Sequence, residues 1–161
     1  MPTGGTKHTA FIKDNFGTVW PVHLVGFTRL LVQLRAHFHG DLDLMLVLAV
    51  IGSRTHDARW NAELAALGQL TRDEDARSKQ LPINIQSISE FTGIPRETVR
   101  RKLVILEQKG WVSRNTQGHI AVTQRAGFDL EVATGDTITY LAALVKAVET
   151  AQSRAGATGL A

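Results

Sequence analysis

Length, charge and cysteine content narrow the class of protein. The 161 residues are 43% hydrophobic and 20% charged, with a formal net charge of +3, as in an ordinary globular protein. Cysteine is absent, so disulfides and thiolate metal sites are excluded. Residues 1–10 lack the apolar stretch of a signal peptide, and the longest apolar run, residues 44–51, is far below the ~20 residues of a membrane span. The expectation is a cytoplasmic protein with no membrane partner.

The first periodic segment of the chain follows an irregular start. Residues 1–20 are interpreted as an N-terminal arm, in which 11–20 form either a short strand or an irregular segment. Because Pro21 suits the first turn of a helix and Gly40 suits its end, a helix is predicted between them. Its apolar residues alternate at spacings of three and four, which is typical of a helical seam. The seam consists of Leu24, Phe27, Leu31, Leu34 and Phe38.

A second helix is predicted to begin near Asp41, an acceptable N-cap residue. Residues 44–51 are apolar nearly all round, so this helix should be buried within the N-terminal helical region, which spans 21–68. Residues 69–80 are interpreted as a charged loop that serves as a linker. Residues 81–85 then predict a short strand that pairs with a hairpin further along the chain.

Residues 81–125 show, in the right order, the features of a helix-turn-helix. Ser87 and Glu90 form a capping box, which predicts a short helix that begins at Ile88. Gly93 is a ready turn residue, and it should end this helix.

The second helix of the motif is predicted over residues 96–109, with Pro95 in its first turn and Gly110 as a left-handed cap. Its apolar stripe, at spacings i, i+4 and i+7, is Val99, Leu103 and Leu106. The opposite face is polar, and its basic side chains crowd the N-terminal half. A recognition helix needs this arrangement, because its first turns enter the major groove of DNA.

A β-hairpin is predicted directly after this helix. Alternating apolar residues at 111–112 and 120–122 flank a polar turn at 115–118 that contains a glycine. Residues 87–125 hold seven basic and three acidic side chains, a net charge of +4 that exceeds the +3 of the whole chain. A basic module of this kind attracts phosphates regardless of sequence.

One stretch resembles the DNA-binding module of bacterial winged-helix regulators of the MarR, GntR and Crp types: residues 93–103 (GIPRETVRRKL), with Leu106, Gly110, Trp111 and Val112. It departs from these families at Pro95, where they usually carry a Ser or Thr cap. The resemblance implies a mainly α fold with a small β wing, in which a winged helix-turn-helix is flanked by N- and C-terminal dimerisation helices. It also implies a transcriptional regulator that binds double-stranded DNA as a homodimer.

The DNA contacts are predicted from positions on the helix and the wing. Side chains in the first two turns, away from the apolar stripe, should lie nearest the base edges: Glu97, Arg100 and Arg101. Side chains on the flanks should mostly meet phosphates: Arg96, Thr98 and Lys102. The wing should reach the adjacent backbone or minor groove through Arg114, Gln117 and His119.

Residues 126–161 are predicted to form a C-terminal dimerisation helix and a tail. Residues 128–132 alternate and are interpreted as a short strand, the helix should open at Gly135, and residues 153–161 should fray. The helix carries a seam of Ile138, Leu141, Val145 and Val148. Together with Leu24, Phe27, Leu31 and Leu34, these residues are the predicted dimer interface. Packing of the two helices against each other within one chain is the alternative.

The sequence His37-x-His39-x-Asp41, followed by Asp43, resembles part of the metallo-β-lactamase zinc motif, but Leu42 stands where that motif has its final His. It is interpreted as a polar helix–helix corner with Asp41 as a cap. A non-catalytic metal site that uses His37, His39, Asp41 or Asp43, and an enzyme that uses the same cluster, are the alternatives. No metal or cofactor is predicted, and no catalytic activity is predicted because no P-loop, dinucleotide-binding or nucleophile motif occurs.

Two further hypotheses accompany the main one. A winged helix can bind protein instead of DNA, so a protein-interaction module is the alternative function. The resemblance to MarR-type proteins implies that a small-molecule effector can bind between the dimer helices and the winged module. Its candidate lining residues, for which a plain core role is the alternative, are Trp20, Phe27, Met45 and Trp60.

Overall fold

The computed structural model describes residues 6–54 and 83–158, and within them the chain is helical apart from one small β-hairpin. This confirms the predicted mainly α fold with a β wing. The elements are α1 (Lys7–Asp14), α2 (Phe16–His37), α3 (Leu42–Ser53), α4 (Ile85–Thr92), α5 (Arg96–Gln108), β1 (Val112–Arg114), β2 (Ile120–Val122), α6 (Gln124–Asp129) and α7 (Glu131–Thr158). No described helix is both long and apolar enough to span a membrane.

The chain divides into two compact units. The terminal unit comprises Met1–Leu34 and Val132–Ala161, and the winged unit comprises Arg35–Glu131. The last part of the predicted N-terminal helical region, 55–68, and the predicted charged loop at 69–80 lie outside the described residues.

The core of the winged unit is formed by α3, α4, α5 and the hairpin. Its largest fully buried side chains are Ile51, Ile88, Leu103, Leu106, Ile120, Val47 and Val99. Phe38, which follows α2, packs edge-on against Trp111 with ring centroids 5.8 Å apart. The prediction that α3 is a buried helix is confirmed in part, because six of its 12 residues are buried while Leu42 and Leu46 remain exposed. The apolar stripe predicted for α5 is confirmed as well.

The corner between α2 and α3 is closed by local hydrogen bonds. Gly40 lies in the left-handed region, at φ 87°, and its N–H donates to the carbonyl of Arg35 at 2.7 Å. Asp41 then caps α3, since its Oδ1 accepts from the N–H of Leu44 at 2.9 Å. Both predictions for this corner, a helix end at Gly40 and a cap at Asp41, are confirmed.

The start of α4 differs from its prediction. The helix begins at Ile85, because Asn84 accepts from the N–H of Ser87 at 3.0 Å and so caps it three residues earlier than expected. The predicted strand at 81–85 is therefore wrong at Ile85. Ile83 does accept a hydrogen bond from the N–H of Ile120 at 3.1 Å, which is one strand-like contact with the hairpin.

The turn and the second helix of the motif follow their prediction. Gly93 ends α4 at φ 73°, a conformation that costs other residues free energy, and its N–H donates to the carbonyl of Ser89. Pro95 stands at the N-cap of α5 and offers no side-chain hydrogen bond, so the first turn lacks the cap usual in related modules. Gly110 is left-handed after the helix, as predicted.

The hairpin is antiparallel, with Val112 opposite Val122 and Arg114 opposite Ile120. Its turn is held by the side chain of Asn115, whose Oδ1 accepts from the N–H groups of Gln117 at 3.0 Å and His119 at 2.9 Å. The predicted wing is therefore confirmed.

The chain after the wing is helical where a strand was predicted. The apolar alternation over 128–132 does not come from a strand. Phe128 is exposed at the end of α6, and Asp129 accepts a hydrogen bond at 2.8 Å from Arg125, one helical turn earlier. A long helix then runs without a break through Gly135 to Thr158, so the predicted helix start at 135 and the predicted tail over 153–158 are wrong. Each glycine costs a helix only about 1 kcal/mol, and the 28-residue helix accommodates two, Gly135 and Gly156.

The N-terminal arm and the helix start at Pro21 are also wrong. Helix α1 covers 7–14, and α2 begins at Phe16, so that Pro21 lies inside it. Proline removes one helical hydrogen bond. Ring contacts between residues three and four apart oppose this loss: Phe16 stacks on Trp20 with centroids 5.1 Å apart, and Trp20 lies tilted against His23 at 5.0 Å.

In the terminal unit, α2 and α7 meet mainly beside the predicted seams, but Phe27 of the α2 seam takes part, with its ring centroid 6.0 Å from that of Tyr140. Tyr140 donates to or accepts from His23 Nδ1 at 2.7 Å, and its ring lies against Gly26, where any Cβ would come within 2.9 Å of it. Further along, Gln33 donates to Asp136 at 3.0 Å. The buried apolar residues of this unit are Val19, Leu30, Ala133, Ala147 and Ala151.

Candidate DNA-binding surface

Helix α5 separates a buried stripe from a charged face. Val99, Leu103 and Leu106 have no exposed surface and fix the rotation of the helix in the core. The predicted base-reading residues Glu97, Arg100 and Arg101 and the predicted phosphate contact Arg96 are all exposed, and Thr98 is half-buried at the boundary. The first two turns therefore present a polar edge to solvent, as the spacing predicts.

Three of these side chains form one ion cluster. Glu97 accepts two hydrogen bonds from Arg100, from Nε to Oε2 at 2.9 Å and from Nη2 to Oε1 at 2.6 Å. A longer contact of 3.4 Å joins Nε of Arg101 to the same Oε1. The hydrogen bonds from Arg100, its charge and the contact with Arg101 lower the pKa of Glu97 to about 2. The carboxylate is therefore ionised at neutral pH, and the pKa of Arg100 is raised by the same pair.

Lys102 has a different partner. Its Nζ lies 2.6 Å from Oδ2 of Asp41, and the lysine side chain is only 20% exposed. Burial raises the pKa of Asp41, but the hydrogen bond from Lys102, the N–H of Leu44 and the lysine charge together lower it further, so the net shift is downward. The predicted phosphate contact by Lys102 thus competes with an ion pair that joins α5 to the cap of α3.

The predicted wing residues lie on and beside the hairpin turn. Nε of Arg114 donates to Oε1 of Glu107 at 3.1 Å, and both side chains remain about a third exposed. Gln117 is exposed in the turn and His119 is half-buried beside it. The turn and Arg114 are therefore accessible from solvent, and their contact with DNA stays a prediction.

A second polar cluster, missed in the sequence, secures the base of the wing. Asp129 accepts from the indole Nε1 of Trp111 at 2.9 Å and from Nε of Arg125 at 2.8 Å. These hydrogen bonds, that from Arg125 foremost, lower the pKa of Asp129. Lys109 lies over the ring of Trp111, 4.8 Å from its centroid. The i, i+4 pair of Arg125 and Asp129 was a signal for a helix here, but the contact with Trp111 could not be read from spacing.

The predicted interface residues are left largely uncovered. Six of them lie between 37% and 58% exposed: Leu24, Phe27, Leu31, Ile138, Leu141 and Val145. Leu34 and Val148 are half-buried. Phe27 contacts Tyr140 of α7, with ring centroids 6.0 Å apart, but most of both seams remains exposed within the described terminal unit.

In the predicted polar corner, Asp41 caps α3 and forms an ion pair with Lys102. Among the described residues no three His, Asp or Glu side chains converge as a metal site would require. Of the candidate effector residues, Trp20 and Phe27 belong to the terminal unit and Met45 to the winged unit, while Trp60 lies outside the described residues.

One comparison with known proteins bears on this surface. Residues 63–129 match the model of the Crp-like helix-turn-helix domain, and the match ends at the last residue of α6. Neither the curated proteins nor the solved structures gave a match to the chain. The matched segment contains α4, α5 and the wing, so this chain carries a helix-turn-helix DNA-binding module and is similar over that segment to Crp-like proteins.

Proposed function

We propose that this chain is a sequence-specific transcriptional regulator that binds double-stranded DNA as a homodimer. One observation carries the proposal: within a segment that matches a helix-turn-helix family, α5 exposes Arg96, Glu97, Arg100 and Arg101 while its opposite stripe is fully buried. The buried stripe fixes which side chains of α5 point into solvent, and those side chains are of the types that pair with base edges.

Helix α5 lies in the major groove in this proposal. Arginine can pair with two acceptors of guanine, and glutamate can accept from N4 of cytosine, so Arg101 and Glu97 can carry sequence information. Arg96 and Thr98 lie on the flanks and contact phosphates. The wing contacts the adjacent backbone through Arg114, Gln117 and His119.

A second copy of the chain covers the exposed seams of α2 and α7. Contiguous apolar surface of this kind is unusual on a soluble monomer and marks an interaction site. The same kind of seam occurs on both helices and, apart from Phe27, which contacts Tyr140, lies beside the face that joins them, so a symmetric partner could cover both. A two-fold dimer would place two recognition helices on half-sites about one turn of DNA apart.

The test is selection of bound sequences from a random pool of duplex DNA by the full chain. The expected result is an enriched site with two related half-sites, and binding to a labelled duplex of that site should exceed binding to a scrambled duplex. A selection that enriches nothing, with no retention of any duplex at moderate salt, would reject the proposal and favour the protein-interaction alternative.

A further inference from the structure

The two arginines of the α5 ion cluster, Arg100 and Arg101, make different contacts with Glu97. Arg100 gives both Nε and Nη2 to Glu97, at 2.9 and 2.6 Å, in a two-pronged pair. Arg101 makes only the 3.4 Å contact from its Nε, so its four Nη hydrogens remain available, and it is the most exposed member at 71%. The two residues are adjacent in sequence but differ in what they can offer to a base.

The acceptor positions of Glu97 are mostly occupied. An ionised carboxylate offers about four lone-pair positions on its two oxygens. Oε1 accepts from Nη2 of Arg100 and from Nε of Arg101, and Oε2 accepts from Nε of Arg100. One position, on Oε2, stays open. A single open acceptor fits a single donor, and the major-groove donors are N6 of adenine and N4 of cytosine. Adenine places its acceptor N7 beside that donor, where it repels a carboxylate, so the N4 amine of cytosine is the better fit.

We infer that Arg100 is a positioning residue, which sets base choice by holding the carboxylate of Glu97 with one acceptor directed to cytosine. The inference rests on the proposed function and refines it, because Arg100 now acts through Glu97 and not as a third base reader. An unheld glutamate has three rotatable bonds and must lose that freedom on binding, whereas the two-pronged pair has already restricted it.

The fold itself gains little from this pair. Both side chains are more than half exposed, and ion pairs of this spacing on a helix surface contribute only slightly to stability. Its effect should therefore appear in the preference among bases, a property that a merely structural contact would not change.

The experiment compares Arg100→Lys with Glu97→Gln in the full chain. Lysine keeps the positive charge but cannot form the planar two-pronged pair. Each variant, and the double variant, is titrated with the selected site and with duplexes that carry the other three base pairs at each position. Glu97→Gln first identifies the base pair that Glu97 reads.

Arg100→Lys should bind the scrambled duplex as the wild type does, with the same salt dependence, because the charge is kept. Its preference at the Glu97 base pair should fall by about fivefold or more, while the preference at the Arg101 base pair stays. The double variant should lose no more than Glu97→Gln alone, because the two changes remove one shared interaction.

Three results would overturn the inference while leaving the proposed function intact: an unchanged preference in Arg100→Lys, an equal loss at every base pair, or additive losses in the double variant. A wild-type chain with no sequence preference at all would overturn both. Thermal melts that overlay with the wild type show that each variant is folded, as the exposure of both side chains leads us to expect.

Discussion

The winged unit and the terminal unit bury their apolar residues in different ways. In the winged unit, large side chains such as Ile51, Leu103 and Leu106 are fully enclosed by other parts of the same chain. In the terminal unit, the described buried apolar residues are two aliphatic side chains and three alanines, while Leu24, Val145 and others remain half exposed. The winged unit has a core of its own, whereas the terminal unit has apolar side chains that remain exposed.

This difference indicates where each unit obtains its stability. Apolar burial is worth about 25 cal/mol per Å², so the winged unit draws on contacts within the chain. The terminal unit, in the proposal, draws part of its stability from a second copy and should depend on protein concentration. A charge placed in each unit, or a cavity made in each, should therefore give different outcomes.

The largest expected effect comes from a charge in the exposed seam of α7. Leu141→Asp would bury an unpaired carboxylate in the proposed interface. Each contact between two seams should then lose about 3–5 kcal/mol of association free energy. Light scattering at micromolar concentration should give about twice 17.6 kDa for the wild type and the single-chain mass for the variant. Thr139→Asp, an exposed position on another side of α7, should remain dimeric. A wild type with the single-chain mass would contradict the dimer.

The next effect probes the core of the winged unit. Leu103→Ala should lower the free energy of unfolding by about 2–5 kcal/mol, because the side chain has no exposed surface and its removal leaves a cavity. Val104→Ala, at the neighbouring position that is 40% exposed, is the matched control and should change much less. Urea denaturation measures both. Equal losses of unfolding free energy for the two variants would show that α5 does not bury Leu103 and expose Val104 as described.

The two units also differ in how far their structure could be predicted from sequence. In the winged unit the decisive signals are local: Gly93 and Gly110 must be left-handed, and Asp41 caps its own helix. Where two caps compete, sequence alone misleads, and Asn84 took precedence over Ser87 at the start of α4. The pair of Lys102 with Asp41 joins residues 61 positions apart, which no spacing rule could reveal.

In the terminal unit the prediction followed large apolar residues and overlooked small ones. On α7, Tyr140 contacts His23 and Phe27 of α2 and Asp136 accepts from Gln33, while the buried Ala147 and Ala151 lie further along the helix. Alanines bury little area and weaken the hydrophobic signal, so the periodicity favoured the seam of Leu141 instead. On α5, the sequence shows the oppositely charged Glu97 and Arg100 three residues apart, but it does not show the two-pronged geometry of their pair.

A third prediction assigns base reading to the winged unit. Arg101→Ala should weaken binding to the selected site by about 1–3 kcal/mol and relax the choice at one base pair per half-site. Arg29→Ala removes the same charge from an exposed position in the terminal unit and should leave the base preference unchanged. Fluorescence anisotropy with the selected and the scrambled duplex measures both. Wild-type discrimination in Arg101→Ala would rule out this side chain as a reader.

A fourth prediction concerns the ion pair that joins α5 to the cap of α3. Asp41→Ala removes cap and charge and should cost about 0.5–2 kcal/mol, whereas Asp41→Asn keeps a capping side chain and removes only the charge. The pKa of Asp41 is lower in the folded chain than in the unfolded one, so its charge stabilises the fold above the unfolded pKa of 3.8 and this contribution is lost as pH falls through the folded value. The deficit of Asp41→Asn in urea melts should therefore shrink as pH is lowered below about 4. A deficit that grows on acidification would contradict the sign of the shift.

The smallest effect distinguishes the wing from the recognition helix. Arg114 is held by Glu107 at 3.1 Å but remains 37% exposed, so it can exchange this partner for a phosphate. Since phosphate contacts carry no base information, Arg114→Ala should weaken selected and scrambled duplexes equally, with the salt slope shallower by about one per subunit. Glu107→Gln frees the same arginine without removing it, and it should strengthen binding to both duplexes slightly. The measurement is a salt series with both duplexes. If Arg114→Ala instead changed the preference among bases, the wing would be reading sequence, and the division between a reading helix and a positioning wing would have to be abandoned.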